Sequence, residues 1–265
     1  MADTREELER EIEPVAEQAL QAWLAVALAD VTGRAVDPTV VLRHASDWAE
    51  RVHDAILPIV RASWLARFEA IADRPPSRSL IGAYLEAAAN RMVRVPDEVA
   101  ARIQRIVARN IGTSIPDMAA LIDAELSFSG TANWPNRATV IARTESGGAW
   151  NGAAVAAYRA DAQRLGIDLF KKWLATDDER TRETHNLADG QTVPLDASFT
   201  VGGFPMDYPC DPRGPAHEVI NCRCAPRIGT AGELAFSSER RLFPVLPLVR
   251  SFAAEGDDMS DTVCI

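Results

Sequence analysis

Apolar positions recur at spacings of three to five through the first part of the chain. From Glu7 to Val31, Leu8, Ile12, Val15, Leu20, Leu24 and Leu28 trace one face of a helix, and Gly33 supplies a stop. A second helical pattern runs from Asp37 to Asp73, with Trp48, Val52, Ile56, Ile59, Trp64, Leu65 and Phe68 on its apolar stripe. Pro38 suits its first turn, whereas Pro58 falls inside it and predicts a kink or break. Arg74-Pro-Pro-Ser-Arg78 reads as a linker. Shorter helices are expected over Leu80–Val93, Pro96–Ile111 and Pro116–Leu126. The last two open on a proline followed by an acidic residue, which fixes φ and suits the positive end of the helix dipole.

Residues 127–135 are loop-like, and a long helix is expected from Asn136 to Leu165, with Gly147-Gly148 loosening it locally. Beyond Gly166 the periodicity ends. Residues 167–230 are rich in Gly, Pro, Asp and Thr, with extended candidates at Asp168–Thr176, Gln191–Leu195 and Cys222–Ile228. The fold class is therefore α+β: a helical region over 1–130, a small loop-rich α+β domain over 131–230, and a C-terminal extension over 231–265. An apolar piece, Leu242–Phe252, and an acidic, mobile tail make up that extension.

The formal charge of −10 argues against sequence-independent wrapping of DNA, which needs a basic face. A local basic stripe does exist: Arg102, Arg105 and Arg109 share one helix face. A solvated, salt-bridged face is the simpler account of it, and weak DNA contact is the alternative. The acidic N-terminus does not read as a secretory signal, and the run Ala19–Val31 is too short and too interrupted to span a bilayer. No membrane association is expected.

Chemistry-bearing residues concentrate between Arg137 and Cys224. Cys222 and Cys224, two apart, present both thiols to one face of an extended chain. With His185, Cys210 and His217 they offer nitrogen and sulfur ligands for a tetrahedral zinc site. The spacing is not that of a Cys-x-x-Cys pair. A simpler reading makes both cysteines small buried hydrophobes and hydrogen-bonds His185 to a carboxylate such as Asp178. A second group, Arg143, Glu145, Asp178, Arg182 and His185, forms either a buried polar network that fastens loops or an acid–base cluster. Asp178, Arg182 and His185 would share a face on a helical turn. Glycine-rich phosphate loops, His-Glu-x-x-His pairs and Gly-x-Ser-x-Gly elbows are all missing from the sequence, so the network is the expected reading and no catalytic residue is assigned.

Several of these landmarks form an ordered set: Ile141-Ala-Arg-Thr-Glu145, Trp173-x-x-x-x-Asp178, Arg182-x-x-His185, Gly190-Gln-Thr-Val193, Tyr208-Pro-Cys-Asp-Pro212 and Asn221-Cys-Arg-Cys224. The set resembles the Mu F-like head morphogenesis family of tailed phages over residues 130–230. Cys210 departs from it, standing where such sequences commonly carry glycine. The resemblance implies a minor capsid protein inside the head, assembled in the host cytoplasm. It implies partners in the portal protein and the scaffold or major capsid protein, and action in procapsid assembly and DNA packaging or delivery. A toxin-like transferase or metal-dependent hydrolase, built on Arg143, Glu145, Asp178 and His185, is the competing reading.

Overall fold

The computed structural model describes residues 4–31, 36–126 and 137–236. Gly33, the loop 127–135 and the extension beyond residue 236 lie outside them. The helical part comprises α1 (Arg5–Val31), a 3-10 turn (Pro38–His44), α2 (Ala45–Arg51), α3 (Leu57–Ala72), α4 (Arg78–Met92), α5 (Val95–Arg109) and α6 (Ile115–Leu126). Asp37 and Ser77 cap the backbone N–H groups of Thr39 and Leu80, satisfying donors that a helix start leaves free. The expected break at Pro58 takes a gentler form. The chain stays helical and widens into a π turn over Val52–Ile56, just ahead of α3, whose first turn holds the proline where no N–H is needed.

Long helix α7 (Arg137–Leu165) packs against both α1 and α3. It is buried on several sides, which its small residues permit. Gly147, Gly148 and Gly152 do not loosen it, because each admits a neighbour. A Cβ on Gly152 would stand 2.9 Å from the Tyr208 hydroxyl, and one on Gly147 would stand 2.6 Å from the Cys210 sulfur. The helix is continuous because the close approach it allows is itself stabilising.

After α7 come β1 (Phe170–Leu174), α8 (Glu183–Ala188), β2 (Thr192–Pro194), β3 (Phe199–Val201), β4 (Phe204–Met206), α9 (Ala216–Val219), β5 (Ala225–Gly229) and α10 (Ala231–Phe236). A three-stranded antiparallel sheet has the order β2-β1-β5, with Phe170 opposite Pro194 on one side and Gly229 on the other. Strands β3 and β4 form a separate hairpin closed by Gly202 and Gly203, both at positive φ as a type I′ turn requires.

Three apolar clusters result. The largest joins α1 to α7, with Trp23, Trp48, Trp64 and Phe68 at its centre. The second surrounds Trp173 with Phe199, Met206, Cys210, Cys222 and Cys224. A third, containing Tyr158, Leu169, Leu195, Tyr208 and Ile228, lies where α7 meets the sheet. Helix α7 contributes to the first and the third, so the helical half and the α+β part share it as a wall.

Two glycine substitutions test this packing. Gly82 in α4 is exposed with nothing within 4 Å of a built Cβ, so Gly82→Ala should stabilise the chain by up to about 1 kcal/mol through helix propensity. The same change at Gly152 meets Tyr208. Overpacking of about 1–3 kcal/mol should then outweigh the propensity gain, giving a lower denaturation midpoint in urea.

Candidate functional site

The motif residues of the α+β part are brought together, and most of them hold one short turn through separate contacts. The turn Ile220–Cys224 is the common target. Its two cysteines are buried while Asn221, between them and Ile220, is exposed, and it carries few ladder bonds of its own, so its inward carbonyls need outside donors. Arg182 donates to the Ile220 carbonyl. Arg5, at the start of α1, donates to the carbonyls of Cys222 at 2.8 Å and Cys224 at 3.3 Å. Asn151 of α7 reaches Cys224 at 3.3 Å and Pro209 at 2.9 Å.

The Ala-Arg-Thr-Glu segment of α7 explains itself in the same way. Arg143 donates to the Asn221 side chain at 2.8 Å and pairs with Glu9 of α1 at 3.0 Å. The Thr144 hydroxyl accepts the Asn221 backbone N–H at 2.9 Å. Asn221 thus sits at φ +61, a left-handed conformation that asparagine tolerates better than most residues. Glu145 turns the other way and accepts both forks of Arg91, at 2.5 and 3.1 Å. Burial holds its carboxyl above the usual carboxylate range, and Arg91 offsets part of that cost.

Asp178 and Arg182 do not lie on one helical face with His185, because α8 starts only at Glu183. Asp178 precedes it in a turn, accepts the backbone N–H of Arg180 at 3.0 Å and pairs with Arg223. The Arg223 guanidinium holds its carboxyl well below the usual range. The five residues Arg143, Glu145, Asp178, Arg182 and His185 are accordingly separate clamps with separate partners.

His185 is buried at the centre of the thiol cluster. Its Nδ1 lies 3.3 Å from Cys224 Sγ and 3.7 Å from Cys222 Sγ, and its Nε2 lies 3.1 Å from a Glu218 carboxylate oxygen. The carboxylate facing His185 is therefore Glu218 and not Asp178. One candidate ligand atom from each of His185, Cys222 and Cys224 lies within 4.8 Å of the others. The Cys222 thiol, and then His185, draw the Cys224 thiol down to about 5 against the opposing effect of burial. Cys222 is pushed up, chiefly by its contacts with Cys210 and Cys224. Cys210 is buried beside this trio and donates to the Cys222 carbonyl at 3.2 Å. It has φ +66, a conformation that costs a non-glycine residue about 1–2 kcal/mol. His217 is not part of the cluster: its side chain is exposed and packs against the Phe204 ring. The three sulfurs in the cluster are free thiols.

A second polar centre escaped the sequence reading. Lys171 of β1 is fully buried and pairs with Asp207, which also accepts from Arg159 at 3.0 and 3.2 Å. Arg213 forks onto Asp211 at 2.8 and 2.9 Å. Only the place of Asp211 inside the Tyr-Pro-x-Asp-Pro loop hinted at this. Arg5, Arg91 and Glu218 left no local signal, since their partners are distant in sequence. On α5, Arg102 pairs with Glu125 at 3.4 Å, and Arg105 and Arg109 are exposed.

Two measurements check these clamps. Arg91→Met or Glu145→Gln alone should cost about 3–5 kcal/mol by stranding a buried charge or its partner. The double variant should recover much of that loss in a double-mutant cycle. For Asp207, burial favours the neutral acid, but hydrogen bonds from Arg159 and Lys171 outweigh it and hold the carboxyl below its ordinary value. Its stabilising contribution is present above the unfolded value of about 3.9 and lost as pH falls below it. Asp207→Asn should therefore lower stability at neutral pH and flatten the acid limb of the stability profile.

The chain is similar to an NAD(+)--arginine ADP-ribosyltransferase EFV of Enterococcus faecalis (strain ATCC 700802 / V583). The two are 35% identical over 136 residues, which is 51% of this chain and 26% of that relative. The chain thus matches about a quarter of the relative's length. No solved structure matches. Residues 97–227, which carry all the motif residues from Arg143 to Cys224, match the family model described as Phage Mu protein F like protein, and over that stretch the chain belongs to that family.

Proposed function

We propose that the chain is a minor head protein of a tailed bacteriophage. In this reading it sits in the capsid interior at the portal vertex and acts in procapsid assembly and in packaging or delivery of DNA. The observation that carries the reading is the family match over residues 97–227. The side-chain geometry supports it, because the motif polar groups are spent on the chain's own backbone and on one another. A protein built this way offers a rigid shape to its partners. The portal protein and the scaffold or major capsid protein are the partners proposed. Arg105 and Arg109 are exposed on α5, and any contact they make with packaged DNA is electrostatic and weakens steeply with salt.

A second reading, a transferase or metal-dependent hydrolase, is favoured by the name of the Enterococcus relative. The match covers 26% of that protein, so its named activity need not reside in the shared part. The residues nominated for such chemistry are also dispersed. A cleft of about 610 Å³ is lined by Arg91, Arg137, Thr144 and Glu145, with Arg213 and Pro215 opposite, and neither Asp178 nor His185 reaches it. We therefore take the protein to be non-catalytic.

Particle fractionation separates the two readings. The chain should co-sediment with procapsids and with purified virions of its phage, and should transfer no label from radiolabelled NAD to arginine-rich acceptors. His185→Ala should lower its melting temperature. Absence from both particles would overturn the head assignment, as would an NAD-dependent label that His185→Ala abolishes in a folded protein.

A further inference from the structure

The thiol cluster has a geometry that core packing alone does not call for. Three potential ligands from two separated segments converge in a buried space: His185 from α8, and Cys222 and Cys224 from the turn before β5. Tetrahedral zinc with bonds of about 2.0–2.3 Å sets its ligand atoms about 3.5–3.8 Å apart. The distances of His185 Nδ1 to the two sulfurs, 3.3 and 3.7 Å, bracket the lower end of that spacing, so the nearer sulfur needs to move out by only a few tenths of an ångström. The nitrogen that faces the sulfurs is also the one left free to ligate. Glu218 stands 3.1 Å from the opposite nitrogen, close enough to pair with it though not aligned as a hydrogen bond, so the ring presents Nε2 to a carboxylate and Nδ1 to the thiols. Glu218 is itself buried and oriented by the Thr184 hydroxyl at 2.8 Å. A carboxylate behind a histidine whose other nitrogen meets two cysteines is the arrangement that orients a metal-binding imidazole.

Cys210 completes the set. It occupies a backbone position at φ +66 where glycine would be unstrained, its side chain is fully buried, and it lies against Cys222. Gly147 of α7 lacks a side chain where a Cβ would stand 2.6 Å from the Cys210 sulfur. Space has thus been kept for a thiol at a position whose backbone disfavours one. We propose that His185, Cys222, Cys224 and Cys210 bind a single zinc ion as a closed structural site. The trio is preformed, whereas the Cys210 thiol donates to the Cys222 carbonyl at 3.2 Å and must turn from it to reach the ion. All three cysteines bind as thiolates, any proton they still hold passes to solvent, and the zinc–thiolate group carries one net negative charge. The Arg5 guanidinium, donating to the carbonyls of Cys222 and Cys224, supplies the opposing charge at short range. The site holds whether or not the protein is a head component.

The full-length chain, expressed with zinc and without a histidine tag, should contain one zinc per chain by elemental analysis. Chelation should lower its melting temperature. With cobalt in place of zinc, a thiolate-to-cobalt charge-transfer band and the visible bands of a tetrahedral site should appear. Cys210→Gly relieves backbone strain, so a merely structural Cys210 predicts an unchanged cobalt spectrum. A ligand predicts a charge-transfer band weaker by about a third, as two thiolates replace three, together with at least tenfold weaker zinc retention. His217→Ala should leave both readouts unchanged. A folded wild-type chain with no bound zinc, no cobalt spectrum and freely titrating thiols would overturn the site. An unaltered spectrum in Cys210→Gly would remove the fourth ligand.

Discussion

The turn from Ile220 to Cys224 buries its two cysteines without a sheet to satisfy the backbone around them, and much of the molecule is arranged around that constraint. Carbonyls placed beside a helix need donors from somewhere. Here they come from three elements: Arg5 of α1, Asn151 of α7 and Arg182 just before α8. The side chains of the same turn are used as well, with Arg223 paired to Asp178, and Cys222 and Cys224 facing His185. Family motifs that look like scattered chemistry in the sequence are, in three dimensions, several grips on one short piece of chain.

Helix α7 makes this arrangement possible by being narrow. Its glycines and alanines let Tyr208 and Cys210 approach on one side, while α1 and α3 press on others. Arg143, Thr144 and Asn151 are then near enough to hold the turn directly. A helix with larger residues at these places would stand off, and the same polar groups would be left solvated or stranded.

The helices were readable because each has many residues over which a period can repeat, and caps such as Ser77 and prolines such as Pro96 mark their ends. The three strands of the sheet, β1, β2 and β5, were also visible as extended stretches. The β3–β4 hairpin was not, since three residues on each side of Gly202-Gly203 cannot establish an alternation. At the site, the sequence named His185, Cys222 and Cys224 correctly as neighbours in chemistry, yet it placed His217 with them and missed Glu218 one residue later. Helix α9 decides that choice by turning Glu218 inward and His217 outward, and four residues are too few to reveal a buried face. Arg5 and Arg91 were unreadable for a plainer reason: nothing local marks an arginine whose partner lies far along the chain.

The hold of Arg5 on Cys222 spans 217 positions. Contacts of such separation are the slowest to form, because loop-closure entropy opposes them until the intervening chain is organised. During synthesis the first helix must wait for nearly the whole described chain to leave the ribosome before its arginine finds those carbonyls. The latch therefore closes last. It makes emergence of the Cys222–Cys224 turn, rather than collapse of the helices, the event after which the α+β part acquires its final shape.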